Sequence, residues 1–130
     1  MDAAQMETFV RGEAMKDPEF ARAIRYFNGT VKIAVEDDEM AFHFTDGKLN
    51  SDTSIPADAD SEIVIRGNNT HWTEMLAEYP IAFYQCLQTT SVRHGMYLNN
   101  TNQFFAYLPA LNRLTSLLRA ENNRLIGAAA

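Results

Sequence analysis

Cysteine is almost absent from this chain of 130 residues, which contains Cys86 and no other. An internal disulfide is therefore excluded, and a reducing compartment is indicated. Cys86 lies close to Phe83, Tyr84 and Leu87 in the sequence, and free cysteine in such an apolar window behaves as a small hydrophobic side chain. We therefore expect this thiol to be packed rather than reactive.

Long hydrophobic runs are also missing, since none approaches the roughly 20 residues that a membrane-spanning helix needs. The first residues, MDAAQMETFVRGEA, lack the basic segment and apolar stretch of a secretory signal. With 46% hydrophobic and 22% charged residues, the composition is that of a globular protein. We expect a cytoplasmic protein with a single domain over residues 1–130, a core at about 17–119 and a frayed tail at 120–130.

Basic residues are scarce, with 11 Lys and Arg against 17 Asp and Glu, and the formal net charge is −6. Nucleic-acid binding depends on clustered Lys and Arg that neutralise phosphates, so no nucleic-acid partner is expected. Electrostatic docking on an anionic lipid surface is disfavoured for the same reason. No integral membrane partner is expected either.

Sequence motifs for cofactors are missing as well. The chain has no glycine-rich phosphate loop, so a nucleotide cofactor has no visible binding site. His43, His71 and His94 are far apart, and no HxH, HxxxH or cysteine pair accompanies them. Neither a GxSxG motif nor a catalytic-cysteine signature occurs. We therefore expect no cofactor and no metal.

The N-terminal third contains clear helix signals. Asp17-Pro18 combines an N-cap acid with proline at the first helical position, and apolar residues then recur at helical spacing as far as Phe27. Asn28-Gly29 predicts the end of this helix. A separate, more polar helix is predicted over Ala3–Met15.

Strand patterns follow, with apolar residues at every second position. This alternation predicts an antiparallel hairpin, a short third strand after the Asp46-Gly47 turn, and two later strands. The predicted strands are Thr30–Val35, Met40–Thr45, Lys48–Ser51, Glu62–Arg66 and Val92–Leu98.

The second half alternates helices with the last strand. Asn68-Asn69 predicts the cap of a helix whose apolar stripe is Trp72, Met75, Leu76 and Tyr79. Pro80 is predicted to end that helix and to open another, anchored by Phe83, Tyr84 and Leu87. A final helix is predicted over Asn102–Arg119. The order of elements predicts an α+β fold, with helices over one face of a mainly antiparallel sheet.

The last predicted helix has an unusual composition. Phe104, Leu108 and Leu111 share one stripe, whereas Phe105 lies off it. Pro109 removes a backbone hydrogen bond and clashes with the carbonyl of Phe105. A helix bent in this way either leaves a cavity above the sheet or is an ordinary bent core helix with one exposed aromatic.

The order of elements resembles that of the sterol carrier protein type-2 domain family. The resemblance is carried by the hairpin TVKIAVEDDEMAFHFTDGKL, the strand SEIVIRG followed by the helix THWTEMLAEYP, the proline-opened segment PIAFYQCL, and the strand VRHGMYL before a closing helix. It covers about residues 20–119.

The resemblance implies a sheet of about five strands covered by helices, with an apolar tunnel between them for fatty-acyl chains, sterols or related lipids. Aromatic and methionine side chains are well suited to line such a space. The side chains expected to do so are Trp72, Met75, Leu76, Phe83, Tyr84, Met96, Phe104, Phe105 and Leu108, with His94 beside them.

His94 leaves the function open. On the predicted last strand it points to the apolar face, either as a histidine at the edge of the core or as a lone polar group in the pocket. The first hypothesis is a carrier of an apolar ligand, which would tolerate His94→Gln. The second is a cofactor-free isomerase, dehydratase or hydratase with His94 as general base, in which His94→Ala would abolish turnover. The third is an accessory domain, such as half of a homodimer, whose groove holds a partner chain.

Overall fold

A computed structural model of the chain describes residues 1–129. The helices are α1 (Ala3–Glu13), α2 (Pro18–Ile24), α3 (Asn69–Met75), α4 (Leu87–His94), α5 (Asn102–Ala106) and α6 (Leu108–Ala129). The strands are β1 (Gly29–Val35), β2 (Asp38–Thr45), β3 (Lys48–Leu49), β4 (Ile63–Gly67) and β5 (Tyr97–Leu98). Two single 3-10 turns occur at Ala14–Lys16 and Asp58–Asp60.

Side-chain caps fix the starts of the first two helices. The Asp2 carboxylate accepts a hydrogen bond from the Gln5 backbone N–H, and the Gln5 side chain accepts one from the Asp2 N–H. Asp17 accepts a hydrogen bond from the backbone N–H of Phe20, and Pro18 occupies the first helical position. These bonds satisfy N–H groups that have no partner within the helix, as the sequence predicts for Asp17.

The predicted hairpin is confirmed. Strands β1 and β2 pair in antiparallel register, with Val31 opposite Phe42 and Ile33 opposite Met40. At the next turn Gly47 has φ +74°, and a Cβ there would lie 2.3 Å from the Cα of Arg25. Only glycine fits this close approach, which allows β3 to return alongside β2.

The five strands form one sheet in the order β3-β2-β1-β4-β5. Only the pair β1–β4 is parallel, and the other neighbours are antiparallel. The predicted α+β class with a mainly antiparallel sheet is therefore confirmed. One face of the sheet packs against the helices in a single apolar core, to which α1, α2, α3 and α6 all contribute.

The predicted strand Val92–Leu98 is wrong over most of its length. Val92–His94 form the last turn of α4, and only Tyr97–Leu98 form a strand. Gly95 ends α4 in the left-handed conformation, and its N–H bonds the carbonyl of Ser91. Basic residues followed by glycine are typical of a helix C-terminus, and in Arg93-His94-Gly95 this signal outweighs the apolar alternation.

The helix predicted to open at Pro80 is also wrong. Residues 80–86 form turns, and α4 begins only at Leu87. Phe83 has φ +71°, a left-handed conformation that breaks a helix, and its N–H bonds the side chain of Gln85. Tyr79, predicted on the apolar stripe, lies beyond the end of α3 and is exposed.

The predicted final helix is two helices, since Tyr107 interrupts it with φ −107° and ψ 16°. Pro109 stands in the first turn of α6, where its missing N–H costs no internal hydrogen bond. The helix also continues to Ala129 instead of fraying after Arg119. Asn122 holds this part in place, because its side chain accepts from the Met1 amino group and donates to the carbonyl of Leu76.

The other face of the sheet carries a cluster of four charged side chains under the segment 51–60. The ammonium of Lys32, with 4% of its side chain exposed, lies 3.0 Å from Glu39 and 2.9 Å from Asp58. The guanidinium of Arg66 bonds both oxygens of Asp58 and also pairs with Glu39. Lys32 additionally donates to the carbonyl of Pro56 at 2.6 Å. The charged cluster therefore anchors the segment to the sheet.

The close contacts within the charged cluster shift the pKa values of its own side chains. Hydrogen bonds from Arg66, and secondarily from Lys32, hold the pKa of Glu39 below its usual range. Arg66 likewise lowers the pKa of Asp58, against the opposing effect of burial. Burial acts to lower the pKa of Lys32, but its bonds to Asp58 and Glu39 outweigh this effect and raise it.

We expect removal of both carboxylates to destabilise the fold through Lys32. In the double variant E39Q/D58N the Lys32 ammonium is buried without a counter-charge, and the loss should be about 3–5 kcal/mol. Adding Lys32→Met removes that charge, so the triple variant should recover most of the lost free energy of unfolding. Urea unfolding of the double and triple variants checks this, and equal stability of the two would contradict it.

The charged cluster also predicts acid sensitivity. Because the folded pKa values of Glu39 and Asp58 are depressed, their contribution is complete above the unfolded pKa near 4 and is lost as pH falls below it. The free energy of unfolding should therefore decline below about pH 5, and less steeply in the triple variant. Asp17, whose pKa is lowered to about 2 mainly by its hydrogen bond from Arg113, should keep part of the slope in both proteins. Urea unfolding across this pH range is the measurement, and parallel slopes would contradict the assignment.

Candidate apolar ligand site

The apolar interior lies between the helices and one face of the sheet. A cavity there has a volume of only about 10 Å³, far too small for a small-molecule ligand. The cavity is lined only by apolar side chains from α1, α2, β1, β2 and α6. These are Val10, Phe20, Ile24, Val31, Phe42, Phe44, Leu111 and Leu114.

These lining residues are not among those predicted to contact a ligand. The sequence signals that place them here are strand alternation and helical stripes, and such signals are equally typical of ordinary core. A lipid site needs about 300 Å³ or more. The tunnel implied by the resemblance therefore stays a prediction, and the conformation described here is a closed one.

Part of the predicted site lies in the same core. Trp72, Met75, Leu76, Met96 and Phe104 are all buried, and Leu108 packs against them with partial exposure. The five buried side chains come from α3 and the residue after it, from α5 and from the residue before β5, so three separate segments meet there. These predicted residues therefore lie together in one core.

Gly67 allows the side chains of Trp72 and Met96 to lie directly against the backbone of β4. A Cβ at this last residue of β4 would lie 2.8 Å from Nε1 of Trp72 and 2.9 Å from Cε of Met96. The Trp72 indole N–H donates to the carbonyl of Ala34 at 3.0 Å. This bond satisfies the only polar atom of the Trp72 side chain, so the ring can lie in apolar surroundings without an unpaired donor.

The remaining predicted residues do not belong to this apolar cluster, although Tyr84 is buried. The Tyr84 ring stacks on the His94 ring with centroids 3.8 Å apart and planes 8° apart. Phe83 is 42% exposed and has the Arg93 guanidinium over its ring at 4.3 Å. Phe105 is also exposed, but its ring meets the buried Phe104 ring edge-on, with centroids 5.4 Å apart.

His94 does not have the position that its strand parity predicts. It ends α4, is only half-buried, and its Nε2 lies 3.4 Å from the carbonyl of Ala82. The cavity lining does not include it. The geometric basis for a general base in the apolar interior is therefore removed.

His71 has a structural role that the sequence does not reveal. Its Nδ1 accepts from the backbone N–H of Asn68 at 3.1 Å, so its Nε2 carries the proton and donates to the carbonyl of His94 at 2.7 Å. The ring thus connects the start of α3 to the end of α4. It is 8% exposed, and both nitrogens are occupied by these bonds.

Two further features are absent from the part of the chain that the structure describes. Among residues 1–129, no three His, Cys, Asp or Glu side chains are grouped so as to hold a metal ion. Within the same residues, no helix is both long enough and apolar enough to cross a membrane.

The fold defined by this sheet and these helices is that of the sterol carrier protein 2 domain. No protein-family model and no curated protein matches the chain by sequence. Solved structures do match, and the fold-level resemblance seen in the sequence is confirmed.

Three solved structures support this assignment of the fold. A crystal structure of sterol carrier protein 2 has a TM-score of 0.65 at 16% identity, over 89% of this chain and 94% of that one. A conserved hypothetical protein from Thermus thermophilus, described as possibly sterol carrier protein, has a TM-score of 0.63 at 15% identity, over 92% and 87%. The UbiJ-SCP2 ubiquinone synthesis protein has a TM-score of 0.52 at 15% identity, over 86% and 93%. At these identities the likeness concerns the fold.

We expect His71→Ala to destabilise the protein by about 1–3 kcal/mol, because it leaves the N–H of Asn68 and the carbonyl of His94 without partners. His94→Ala is the matched control, since it removes one long hydrogen bond and the ring stack on Tyr84 but leaves no buried backbone group without a partner. Urea unfolding should show the larger loss for His71→Ala. The reverse order would contradict the proposed connection between α3 and α4.

Proposed function

We propose that the protein binds, and transfers, an apolar ligand such as a fatty-acyl chain, a sterol or a related lipid. The observation that carries the proposal is the sterol carrier protein 2 fold around an interior lined only by apolar side chains. Burial of a ligand chain contributes about 0.8 kcal/mol per CH₂, so useful affinity needs no charged contact. A location in the cytoplasm and a single domain over residues 1–130 remain part of the same proposal.

The ligand must enlarge the interior, because the present cavity does not admit a lipid chain. The composition of the core favours such an adjustment. Met6, Met40, Met75 and Met96 are all buried in it, and methionine adapts to irregular spaces better than branched side chains do. The break at Tyr107 between α5 and α6 provides a joint about which one wall can move.

The wall that we expect to move is α5 together with the start of α6. Phe104 on α5 is buried in the core, whereas the neighbouring Phe105 is 54% exposed. An outward movement of this short helix would withdraw the Phe104 ring from the core and lengthen the space above the sheet. The ligand-lining role of Phe105 and Leu108 belongs to this open form.

The first experiment is native mass spectrometry of freshly purified protein, followed by organic extraction. A stoichiometric lipid or apolar metabolite would support the proposal and define the ligand class. An empty protein that also fails to take up fluorescent fatty acid and fluorescent sterol would overturn it.

We expect Leu114→Phe to reduce uptake of a fluorescent fatty acid by about tenfold or more, since the larger ring fills the space that the ligand chain needs. Leu117→Phe is the matched control, because Leu117 lies on the same helix but outside the cavity lining. Fluorescence titration gives the affinities, and thermal unfolding verifies that both variants fold. Equal affinities in the two variants would place the ligand elsewhere.

A further inference from the structure

The chain is strongly asymmetric in charge along its length. Residues 79–120 contain Arg93, Arg113 and Arg119 but no Asp or Glu, whereas the other segments hold all 17 acids. Such an asymmetry is informative about partners even when the net charge is negative. One continuous stretch of sequence, residues 79–120, therefore contributes no acidic side chain.

Exposed apolar side chains concentrate in the same stretch. Six of the nine large hydrophobic side chains exposed among residues 1–129 belong to it: Tyr79, Ile81, Phe83, Val92, Tyr97 and Phe105. The segment Tyr79–Phe83 reads YPIAF, five apolar residues in succession, and four of them are exposed while Pro80 is half-buried. Uninterrupted exposed apolar runs of this kind are uncommon on soluble proteins and mark an interaction site.

The tip of this loop is held in a strained conformation. Phe83 adopts φ +71°, which is costly for a bulky side chain, and the Tyr84 N–H closes a turn on the carbonyl of Ile81 at 3.1 Å. Tyr84 packs inward on His94, so Phe83 is left facing outward. The loop therefore has a defined shape, and both Ile81 and Phe83 are exposed on it.

One cation accompanies the loop without a counter-charge. Arg93 lies over the Phe83 ring at 4.3 Å and forms no ion pair within residues 1–129. Arg113 pairs with Asp17, and Arg119 donates to the carbonyls of Met75 and Gln85, so neither is available in the same way. Val92, 82% exposed, extends the apolar area beside Arg93.

We infer that Tyr79, Ile81, Phe83, Val92 and Arg93 form a docking surface for a phospholipid bilayer. An exposed apolar loop can insert into a bilayer without a preformed groove, and tyrosine and arginine suit the interface between acyl chains and phosphates. Residues 79–120 contribute no carboxylate, and the exposed Glu78 stands at the edge of the surface, so repulsion at a phosphate surface is weaker here than over the acidic rest of the chain. Binding is driven by apolar insertion, so it should depend weakly on salt.

The test is flotation of the protein with vesicles made of four parts phosphatidylcholine and one part phosphatidylglycerol. We expect Ile81→Glu to lower the partition coefficient by about tenfold, because it removes an inserted side chain and adds a charge. Ile126→Glu is the matched control: Ile81 is 60% exposed and Ile126 is 59% exposed, but Ile126 lies on α6 outside the docking surface. The control should bind as the unchanged protein does.

Sedimentation velocity of the same proteins tests whether a second copy of the chain, instead of a bilayer, occupies the docking surface. Monomeric protein with vesicle binding sensitive only to Ile81→Glu supports the inference. Failure to float, equal loss in both variants, or a dimer that Ile81→Glu dissociates would overturn it, and the last result would assign the surface to a second copy. Flotation needs no bound cargo, so its outcome is independent of the uptake measured with Leu114→Phe.

Discussion

Every layer of the protein is attached to strand β1, which is the middle strand of the sheet and is buried on both faces. Its odd-numbered residues, such as Val31 and Ile33, face the helices and form the centre of the apolar core. Lys32, on the opposite face, carries a charge that must be paired because the loop above it excludes water. The two faces therefore impose different requirements on one strand. The apolar face needs close packing, and the charged face needs Glu39 and Asp58 in place.

This arrangement explains how an irregular segment can cover a sheet without a second layer of helices. Three side chains on the sheet bond backbone carbonyls or carboxylates of residues 54–58: His43 bonds the carbonyl of Ser54, Lys32 that of Pro56, and Arg66 the carboxylate of Asp58. Each bond uses a side chain that alternates with the apolar residues of the core. Because this face is rigid, the change that the proposed ligand requires would have to occur on the helical face.

The helical side of the sheet combines a closed interior with an exposed apolar loop. The cavity between the sheet, α1, α2 and α6 is closed, with about 10 Å³ of free space, and the rest of the helical side consists of the short helices α3, α4 and α5. Short helices owe their stability to packing and not to their own hydrogen bonds, so they move at low cost. The exposed apolar loop lies between two of them, and Arg119 of α6 contacts both sides of it through the carbonyls of Met75 and Gln85. Contact of the loop with a lipid surface and movement of the neighbouring helices would therefore affect the same part of the molecule.

Local sequence signals predicted the first half of the fold well and the second half less well. The Asp17 cap, the hairpin and the Asp46-Gly47 turn each depend on residues close together in the chain, and each is confirmed. Between residues 80 and 98 the local signals compete, since Val92–Leu98 alternates like a strand while Gly95 ends a helix. Tertiary contacts decide between them: Tyr84 stacks on His94, and β5 shortens to the two residues that pair with β4. For the predicted site, the apolar pattern was sufficient to place Trp72, Met75 and Met96 in the core, but not to show that Phe83 and Phe105 are exposed.

Fold class, helix caps and the alternation that gives β1 its two faces were all predictable from the amino-acid order, because they follow from backbone conformation and from residues at short spacing. The folded molecule was needed to show that His94 lies outside the core, that His71 connects two helices and that the interior is closed. These outcomes depend on side chains that are far apart in the chain and close in space. The pairing of Lys32 with Glu39 and Asp58 is of the same kind, since no short-range pattern records which charges meet across a sheet.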